Sequence, residues 1–237
     1  MGCPLTVKSH IRGLWGPVTI ITYGRLNYKL FGKRTGGGRK MIKNVVFDVG
    51  MVLADFRWYD YMIDLGISPE HADFLGKNMV LTKYWDEMDL GAFDEEKGCE
   101  FFCGLFPDYK DDIEKFWKDP TEIVWEYDYA ENLVKDIKAA GYKVYLLSNY
   151  PPKMSAVHWP YFKFRKYTDG EVISGIEKVA KPDPAIFKLL CDRYKLNPTE
   201  CIFIDDREKN VDAAKNIGME GLVWSGAENL KKMLAID

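Results

Sequence analysis

Short apolar runs alternate with amphipathic stretches from residue 41 onward. The runs NVVF at 44–47, KVYLL at 143–147 and CIFI at 201–204 are nearly continuous in apolar residues, which is typical of strands buried on both faces of a parallel sheet. GLVW at 221–224 predicts a further strand. Strands that alternate with helices of roughly 10–15 residues predict an α/β fold with a doubly wound, Rossmann-like parallel sheet.

Between these runs, apolar positions recur at helical spacing. Helices are predicted over 128–140, which Gly141 would end, over 181–194 and over 208–218. Residues 56–126 differ, since they are acidic and aromatic with helical spacing throughout. This segment predicts a small α-helical cap domain inserted into the α/β core.

The pattern divides the chain into three segments. Residues 41–55 and 127–237 are predicted to form the α/β core, and residues 56–126 the cap. Residues 1–40 contain eight basic residues and no acidic one, and end in the run TGGGRK. We expect this basic leader to be flexible or outside the native fold, with translation beginning at Met41. Its first residues, MGCPLT, also fit the myristoylation pattern, which is short enough to match by chance.

Charge and composition exclude several classes of function. The chain has 33 basic and 36 acidic residues, and removing the eight bases of the leader leaves 25 bases against those 36 acids. Such an acidic body argues against nucleic-acid binding, which depends on phosphate neutralisation. No run approaches 18 uninterrupted apolar residues, so no membrane span or membrane partner is expected. Five cysteines without a CxxC pair favour a reduced, cytoplasmic protein.

Polar side chains follow three of the predicted strands. Asp48 follows the first strand, Ser148 and Asn149 end the second, and Asp205 and Asp206 end a third. In open parallel sheets, ligands bind beyond the carboxyl ends of the strands, so these groups are predicted to share one site. Carboxylates brought together repel each other unless a cation or a proton holds them, and oxygen ligands suit Mg²⁺.

Lys181, in VAKPDP, adds a compact positive charge that could neutralise a phosphate. A carboxylate nucleophile, a hard cation, a lysine and a hydroxyl are the parts that phosphoryl transfer needs. The alternative is that Asp205 and Asp206 only cap the following helix, since Asp is a favoured capping residue. Capping would account for one of the two aspartates. It would not explain why the other predicted strands also end in polar residues.

Four segments resemble the motifs of the haloacid dehalogenase-like hydrolases, in the family's order: FDVGMVL, LLSN, AKPDPAIF and FIDDREKNVDAAKNIG. Each motif alone is weak, whereas the four together are specific and span residues 41–225. The likeness is closest to the subgroup with a helical cap after the first motif, and to phosphatases of the glucose-1-phosphate type. It implies an Mg²⁺-dependent phosphatase of a small phosphorylated metabolite; we expect a monomer or a homodimer.

The resemblance also implies a role for each matching residue. Asp48 would be the catalytic nucleophile and would form an aspartyl-phosphate. Lys181 would stabilise charge and bind phosphate, as would Ser148, with Asn149 as a further phosphate ligand. The implied metal ligands are Asp48, the main-chain carbonyl of Gly50, Asp205 and Asp206, with Asn210 supporting the metal shell.

The sequence departs from the family at Gly50, where most of these phosphatases carry an aspartate that protonates the leaving oxygen and later activates water. Losing general acid–base help typically costs ~10²–10⁴ in rate. Activity should then depend on the leaving group, which favours a hexose 1-phosphate because its anomeric oxygen leaves comparatively well. If another residue supplies the proton, the acids of the cap are the first candidates, beginning with Asp55, just beyond the turn.

Two alternatives stay open at this point. The chain could be a catalytically weak binding or regulatory protein that keeps the fold, or a haloacid or phosphonate hydrolase. All three share one fold, so the fold alone does not separate them. The combination of Asp48, Ser148, Lys181 and Asp206 favours chemistry, whereas Gly50 keeps the weak relative open.

Deleting residues 1–40 is expected to change neither the melting temperature nor the turnover number. The reason is the break in composition at Met41, where a segment with basic but no acidic residues meets the first predicted strand. Thermal melts and initial rates of the truncated and full-length proteins would measure this. A melting temperature lowered by several degrees would show that the leader packs against the core.

Overall fold

The computed structural model describes residues 41–236, so the predictions for residues 1–40 lie outside the described residues. Its main sheet has five parallel strands in the order β5-β4-β1-β6-β7, and a second sheet pairs β2 with β3 in antiparallel fashion. The predicted doubly wound α/β architecture is confirmed. The strands are β1 (Asn44–Phe47), β2 (Ala54–Phe56), β3 (Val124–Glu126), β4 (Lys143–Ser148), β5 (Gly170–Ile173), β6 (Cys201–Asp205) and β7 (Glu220–Val223).

Helices cover both faces of the main sheet and fill the insert between β2 and β3. Helices α6 and α11 pack on one face, and α9 and α10 pack on the other. The helices are α1 (Trp58–Asp64), α2 (Pro69–Leu75), α3 (Lys83–Asp89), α4 (Glu95–Leu105), α5 (Lys110–Lys118), α6 (Ala130–Ala139), α7 (Pro152–His158), α8 (Ser174–Glu177), α9 (Pro184–Tyr194), α10 (Glu208–Asn216) and α11 (Ala227–Leu234).

Strand β1 lies at the centre of the sheet, and this position explains its apolar run. Phe47 is in register with Leu146 of β4 on one side and Ile204 of β6 on the other. Val45 and Phe47 belong to the apolar cluster on one face, and Val46 belongs to the cluster on the other. Because both faces are covered, no position in β1 favours a surface residue.

The antiparallel ribbon of β2 and β3 carries the chain into and out of the helical insert. Ala54 pairs with Glu126 and Phe56 pairs with Val124, so the two connections run side by side. The predicted cap boundaries, after residue 55 and before residue 127, fall within this ribbon. Residues 41–236 form one compact unit, and the division into core and cap stays a proposal.

Two helix ends test the expectations from the sequence. Helix α6 ends before Gly141, which has a φ of +93° and so adopts the left-handed conformation that glycine tolerates. The helix predicted over 181–194 begins only at Pro184, because the Asp183 side chain accepts a hydrogen bond from the Ala185 amide and caps it there. Lys181 therefore lies in a loop and not on the helix.

Among the helices of the described residues, none has the length and apolar character needed to cross a lipid bilayer.

A buried histidine joins α7 to the chain that leaves the insert. His158 is 2% exposed, and its Nδ1 lies 2.7 Å from the Tyr150 hydroxyl while its Nε2 lies 2.7 Å from the Pro120 carbonyl oxygen. A neutral ring satisfies both contacts, with Nε2–H donating to the carbonyl and Nδ1 accepting from the hydroxyl. Burial lowers the pKa of His158, and the bond to Pro120 only partly opposes this effect.

Because its pKa is lower in the folded protein, His158 makes stability depend on pH. An unfolded histidine takes up a proton near pH ~6.5, whereas the folded ring stays neutral to lower pH. The free energy of unfolding should therefore fall as the pH drops below ~6.5, and His158→Gln should remove this component. Chemical denaturation across that range measures it, and equal pH dependence in both proteins would contradict the assignment.

Candidate active site

The sheet order brings three polar strand ends together. Strands β4, β1 and β6 are neighbours, so Asn149, Asp48 and Asp205 follow or end adjacent strands at the same edge. Carboxylate oxygens of Asp48, Asp205 and Asp206 all lie within 4.8 Å of one another. The structure thus brings together polar groups from the ends of neighbouring strands, and their roles in a shared site stay a prediction.

The buried ammonium of Lys181 links two of these carboxylates. Its Nζ lies 2.8 Å from Asp48 Oδ1 and 2.7 Å from Asp205 Oδ2, and the lysine side chain is 1% exposed. Asp48 Oδ1 also accepts a hydrogen bond of 2.7 Å from the Val49 amide. Two donors thus fix Oδ1, and Oδ2 makes no hydrogen bond to the described residues.

Asn149 holds Lys181 in place through the main chain. The Asn149 side-chain amide donates to the Lys181 carbonyl at 2.9 Å, and its Oδ1 accepts from the Lys181 amide at 2.8 Å. This two-way bond ties the end of β4 to the loop that carries the lysine. Sequence reasoning assigned Asn149 to phosphate binding, and the structure adds this positioning contact, which no spacing in the sequence indicates.

The position of Ser148 gives less support to phosphate binding than the resemblance implies. It is 1% exposed at the end of β4, and its hydroxyl makes a long contact of 3.5 Å to the Asn149 carbonyl. A cavity above the strand ends is lined by Asp48, Gly50, Asn149 and Asp206, but not by Ser148. Its role in phosphate binding stays a prediction.

The electrostatics of the site show more negative charge than Lys181 can balance. Burial raises the pKa of Asp48 to about 7, with Lys181 opposing the shift and Asp205 and Asp206 adding to it. Burial would also raise the pKa of Asp205, but Lys181 and the bonds from the Arg207 amide and a neighbouring asparagine hold it below its usual value. Burial and Asp205 raise the pKa of Asp206.

The donor set fits a hard divalent cation. Three carboxylates close together supply oxygen ligands only, which is the preference of Mg²⁺. Asn210 donates to both oxygens of Asp205, at 3.0 and 3.1 Å, while its own Oδ1 is buried without a partner among the described residues. A buried acceptor in the cavity wall suits a cation or its bound water. The three aspartates would hold the ion, with Asn210 beside them.

Gly50 is not required by the backbone. Its φ lies outside the left-handed range, and a Cβ built there meets no atom within 4 Å. The left-handed residue of this turn is Met51, with a φ of 58°. Open space therefore stands where the family has an acid, and a side chain could occupy it.

A cavity of about 430 Å³ opens above these groups, between the strand ends and the insert. Its floor is polar, whereas part of its wall is apolar and aromatic. Arg207 and Lys209 carry positive charge at its rim, and the insert adds Lys83, Asp86 and Asp89. The apolar and aromatic lining residues are Met51, Phe56, Val80, Leu81, Trp85, Val124, Tyr150, Pro151 and Met154.

The sequence pointed to the acids of the cap as a group but singled out neither Asp86 nor Asp89, which carry no motif and come from helix α3 of the insert. The acid it favoured, Asp55, lies in β2 and is absent from the cavity lining among the described residues. Arg165, which lies between α7 and β5, pairs with Glu171 at 3.0 and 3.1 Å and is absent from the cavity lining among the described residues.

The family follows from a direct comparison of the sequence with protein-family models. The model for haloacid dehalogenase-like hydrolases matches residues 42–218, which is most of the chain. This chain belongs to that family. The match includes the four motif segments, four of the five strands of the main sheet and the whole insert.

Three known proteins illustrate what this chain is similar to. Flavin mononucleotide hydrolase 1 of Arabidopsis thaliana is 31% identical over 64% of this chain, which covers only 60% of that protein's length. The D-ribitol-5-phosphate phosphatase of Bacteroides thetaiotaomicron is 29% identical over 76% of this chain and 90% of its own. A haloacid dehalogenase family enzyme of that organism, solved with magnesium and inorganic phosphate, superposes with a TM-score of 0.58 at 24% identity, covering 78% of this chain and 94% of its own.

Magnesium is expected to raise the melting temperature of the protein, because it would relieve the repulsion among the three aspartates. Asn210→Leu removes an acceptor next to the ion and should weaken Mg²⁺ affinity about 10–100-fold. Asn229→Leu is the matched control, since the Asn229 side chain is exposed and, among the described residues, donates only to Ser225. Titration calorimetry that gives equal affinities for both variants would exclude a part for Asn210 in the metal shell.

Proposed function

We propose that the protein is an Mg²⁺-dependent phosphatase of a small phosphorylated metabolite and works through an aspartyl-phosphate on Asp48. The observation that carries the proposal is the placement of Lys181 between Asp48 and Asp205, next to a third carboxylate and open to a cavity. Family membership and relatives named as phosphatases support it.

The contacts of Asp48 suggest how the first step proceeds. Oδ1 is held by Lys181 and the Val49 amide, so Oδ2 is the oxygen proposed to attack phosphorus. Lys181 orients the nucleophile and offers its positive charge to the phosphoryl group, while Asn149 keeps the lysine in position. Magnesium, when bound, would neutralise charge on the phosphate. Water then releases phosphate from Asp48.

Two classes of substrate have support. A hexose 1-phosphate is favoured because its anomeric oxygen leaves comparatively well, and Gly50 offers no acid to help a poorer leaving group. The apolar wall, with the Phe56 and Trp85 rings 5.3 Å apart, favours a flat or bulky apolar leaving group such as the flavin of flavin mononucleotide. Aromatic rings also pack against sugar faces, so only a panel of substrates separates the two.

The narrower expectations on partners and location remain part of this proposal. We expect the protein to act as a monomer or a homodimer in the cytoplasm, with no nucleic-acid or membrane partner. The weak relative and the haloacid or phosphonate hydrolase remain its alternatives. A weak relative would bind phosphate without turnover, and a haloacid hydrolase would release halide.

The experiment is a hydrolysis assay with para-nitrophenyl phosphate, with and without Mg²⁺, followed by a panel of phosphorylated metabolites. Glucose 1-phosphate and flavin mononucleotide represent the two candidate classes. The proposal expects phosphate release that exhaustive EDTA treatment abolishes and Mg²⁺ restores. Hydrolysis that persists without divalent metal would refute the metal requirement.

Asp48→Asn is expected to lower turnover at least ~10³-fold, because it removes the nucleophile and keeps its volume. Asp212→Asn is a control, since this exposed carboxylate pairs with Lys215 on the surface of α10 and with no other cation of residues 41–236. Phosphate release and thermal melts of both variants give the result. A folded Asp48→Asn protein with full activity would rule out the aspartyl-phosphate.

A further inference from the structure

The cavity contains a carboxylic acid that the first motif lacks. Asp89 is the last residue of helix α3, and it lines the same cavity as Asp48 and Gly50. The Cβ direction of Gly50 is open, so no atom of the described residues lies within 4 Å of the place where the family has its acid. Asp89 therefore brings to the cavity the carboxyl group that the turn lacks at Gly50.

Contacts with the core fix the position of Asp89. The Ser174 hydroxyl donates to the Asp89 carbonyl and accepts a hydrogen bond of 2.9 Å from the Tyr150 amide. Lys178 Nζ donates to the Gly91 carbonyl at 2.7 Å. These bonds attach the end of α3 to the loop after β4 and to helix α8.

Gly91 shows how closely the two segments approach. Its φ is +58°, and a Cβ there would lie 2.5 Å from the Gly175 carbonyl oxygen. Only glycine fits such a contact. The end of α3 is therefore seated against the core, which is the precision that an acid at a reacting centre needs.

The surroundings of Asp89 favour the protonated form of its carboxyl. Burial raises its pKa to about 8, with Asp86 and Asp48 adding to the shift and Arg207 and Lys181 opposing it. A protonated carboxyl near neutral pH can donate its proton to a leaving oxygen, and its conjugate base can later accept one.

We propose that Asp89 is the general acid and base of this enzyme, and that it performs from the insert the task that the family assigns to the position of Gly50. This inference rests on the proposed phosphatase function. In the first step Asp48 Oδ2 bonds to phosphorus, the bond from phosphorus to the leaving oxygen breaks, and that oxygen takes the Asp89 proton.

In the second step the Asp89 carboxylate takes a proton from water. The water oxygen bonds to phosphorus, and the bond from phosphorus to Asp48 breaks. Inorganic phosphate leaves, and both aspartates return to their starting states. The native enzyme should then cleave phosphates of primary alcohols and not only phosphates with good leaving groups. This differs from the expectation drawn from Gly50 alone.

Asp86 is the matched control because it lies one turn earlier on α3 and lines the same cavity. It is exposed, whereas Asp89 is partly buried. Asp86→Asn and Asp89→Asn make the same chemical change three residues apart. An effect due only to charge in the cavity would appear in both variants.

The test compares kcat/KM for para-nitrophenyl phosphate and glycerol phosphate in the native protein and in both variants. Asp89→Asn should lose ~10²–10⁴-fold with glycerol phosphate, whose alkoxide needs a proton, and ~10-fold or less with para-nitrophenyl phosphate. Asp86→Asn should keep the native ratio of the two. Because the ratio is measured on one preparation, partial unfolding of a variant does not change it.

Two further readouts separate a catalytic role from a structural one. In Asp89→Asn the aspartyl-phosphate should accumulate, so para-nitrophenol should appear in a burst before a slow steady state. Adding Gly50→Asp to Asp89→Asn should recover at least ~10-fold of the glycerol phosphate activity, since the side chain has room there.

An unchanged ratio in Asp89→Asn, or the same change in Asp86→Asn, would overturn the role of Asp89 and leave the phosphatase proposal standing. Absence of Mg²⁺-dependent hydrolysis in the native protein would remove both. A native protein that cleaves only para-nitrophenyl phosphate would also count against Asp89, because the proton would then be missing.

Discussion

The site is organised around one buried ion pair, in which the Lys181 ammonium lies between Asp48 and Asp205. A lysine that is 1% exposed stays charged only if its surroundings compensate for lost water. Burial alone would lower the pKa of Lys181, but the two carboxylates and their hydrogen bonds raise it above its usual value. Removing one partner of such a pair typically costs about 3–5 kcal/mol, so the three residues depend on one another.

The parallel sheet makes this pair possible. Asp48 follows the central strand and Asp205 ends its neighbour, so the lysine needs only a short loop to reach both. Asn149, at the end of the strand on the other side, holds that loop by its main chain. The arrangement gives the buried ammonium two carboxylate partners and leaves Oδ2 of Asp48 without a hydrogen bond to the described residues. Stability and chemistry therefore use the same contacts.

Features that depend on local pattern could be predicted from the sequence. The buried strands were recognisable because a short apolar run of four or five residues, bounded by turn residues, is typical of a central strand in an α/β chain, and their polar ends indicated the site. Asp89 and the clamp formed by Asn149 could not be found in this way. Asp89 enters the cavity because Ser174 and Lys178 bind the end of α3, and no pattern in the insert encodes that docking.

Asp55 illustrates the opposite error. It follows the nucleophile closely in sequence, yet it lies in the ribbon of β2 and β3. There it interacts with Tyr127 and Arg57, and it does not line the cavity. Proximity along the chain misled because residues 49–54 fold back, with the Leu53 and Ala54 amides both donating to the Val49 carbonyl. The turn directs the following strand away from the nucleophile.

Placing the acid on the insert, as we propose, links recognition of the leaving group to chemistry. Helix α3 carries Trp85 on the apolar wall and Asp89 at its end, so one rigid element contacts the leaving group and protonates it. In a phosphatase with the acid beside the nucleophile, a poorly fitting substrate still meets a proton donor. Here a substrate that displaces α3 would lose both contacts together. Discrimination among leaving groups should then appear in the chemical step as well as in binding, because the transition state needs the helix in its docked position.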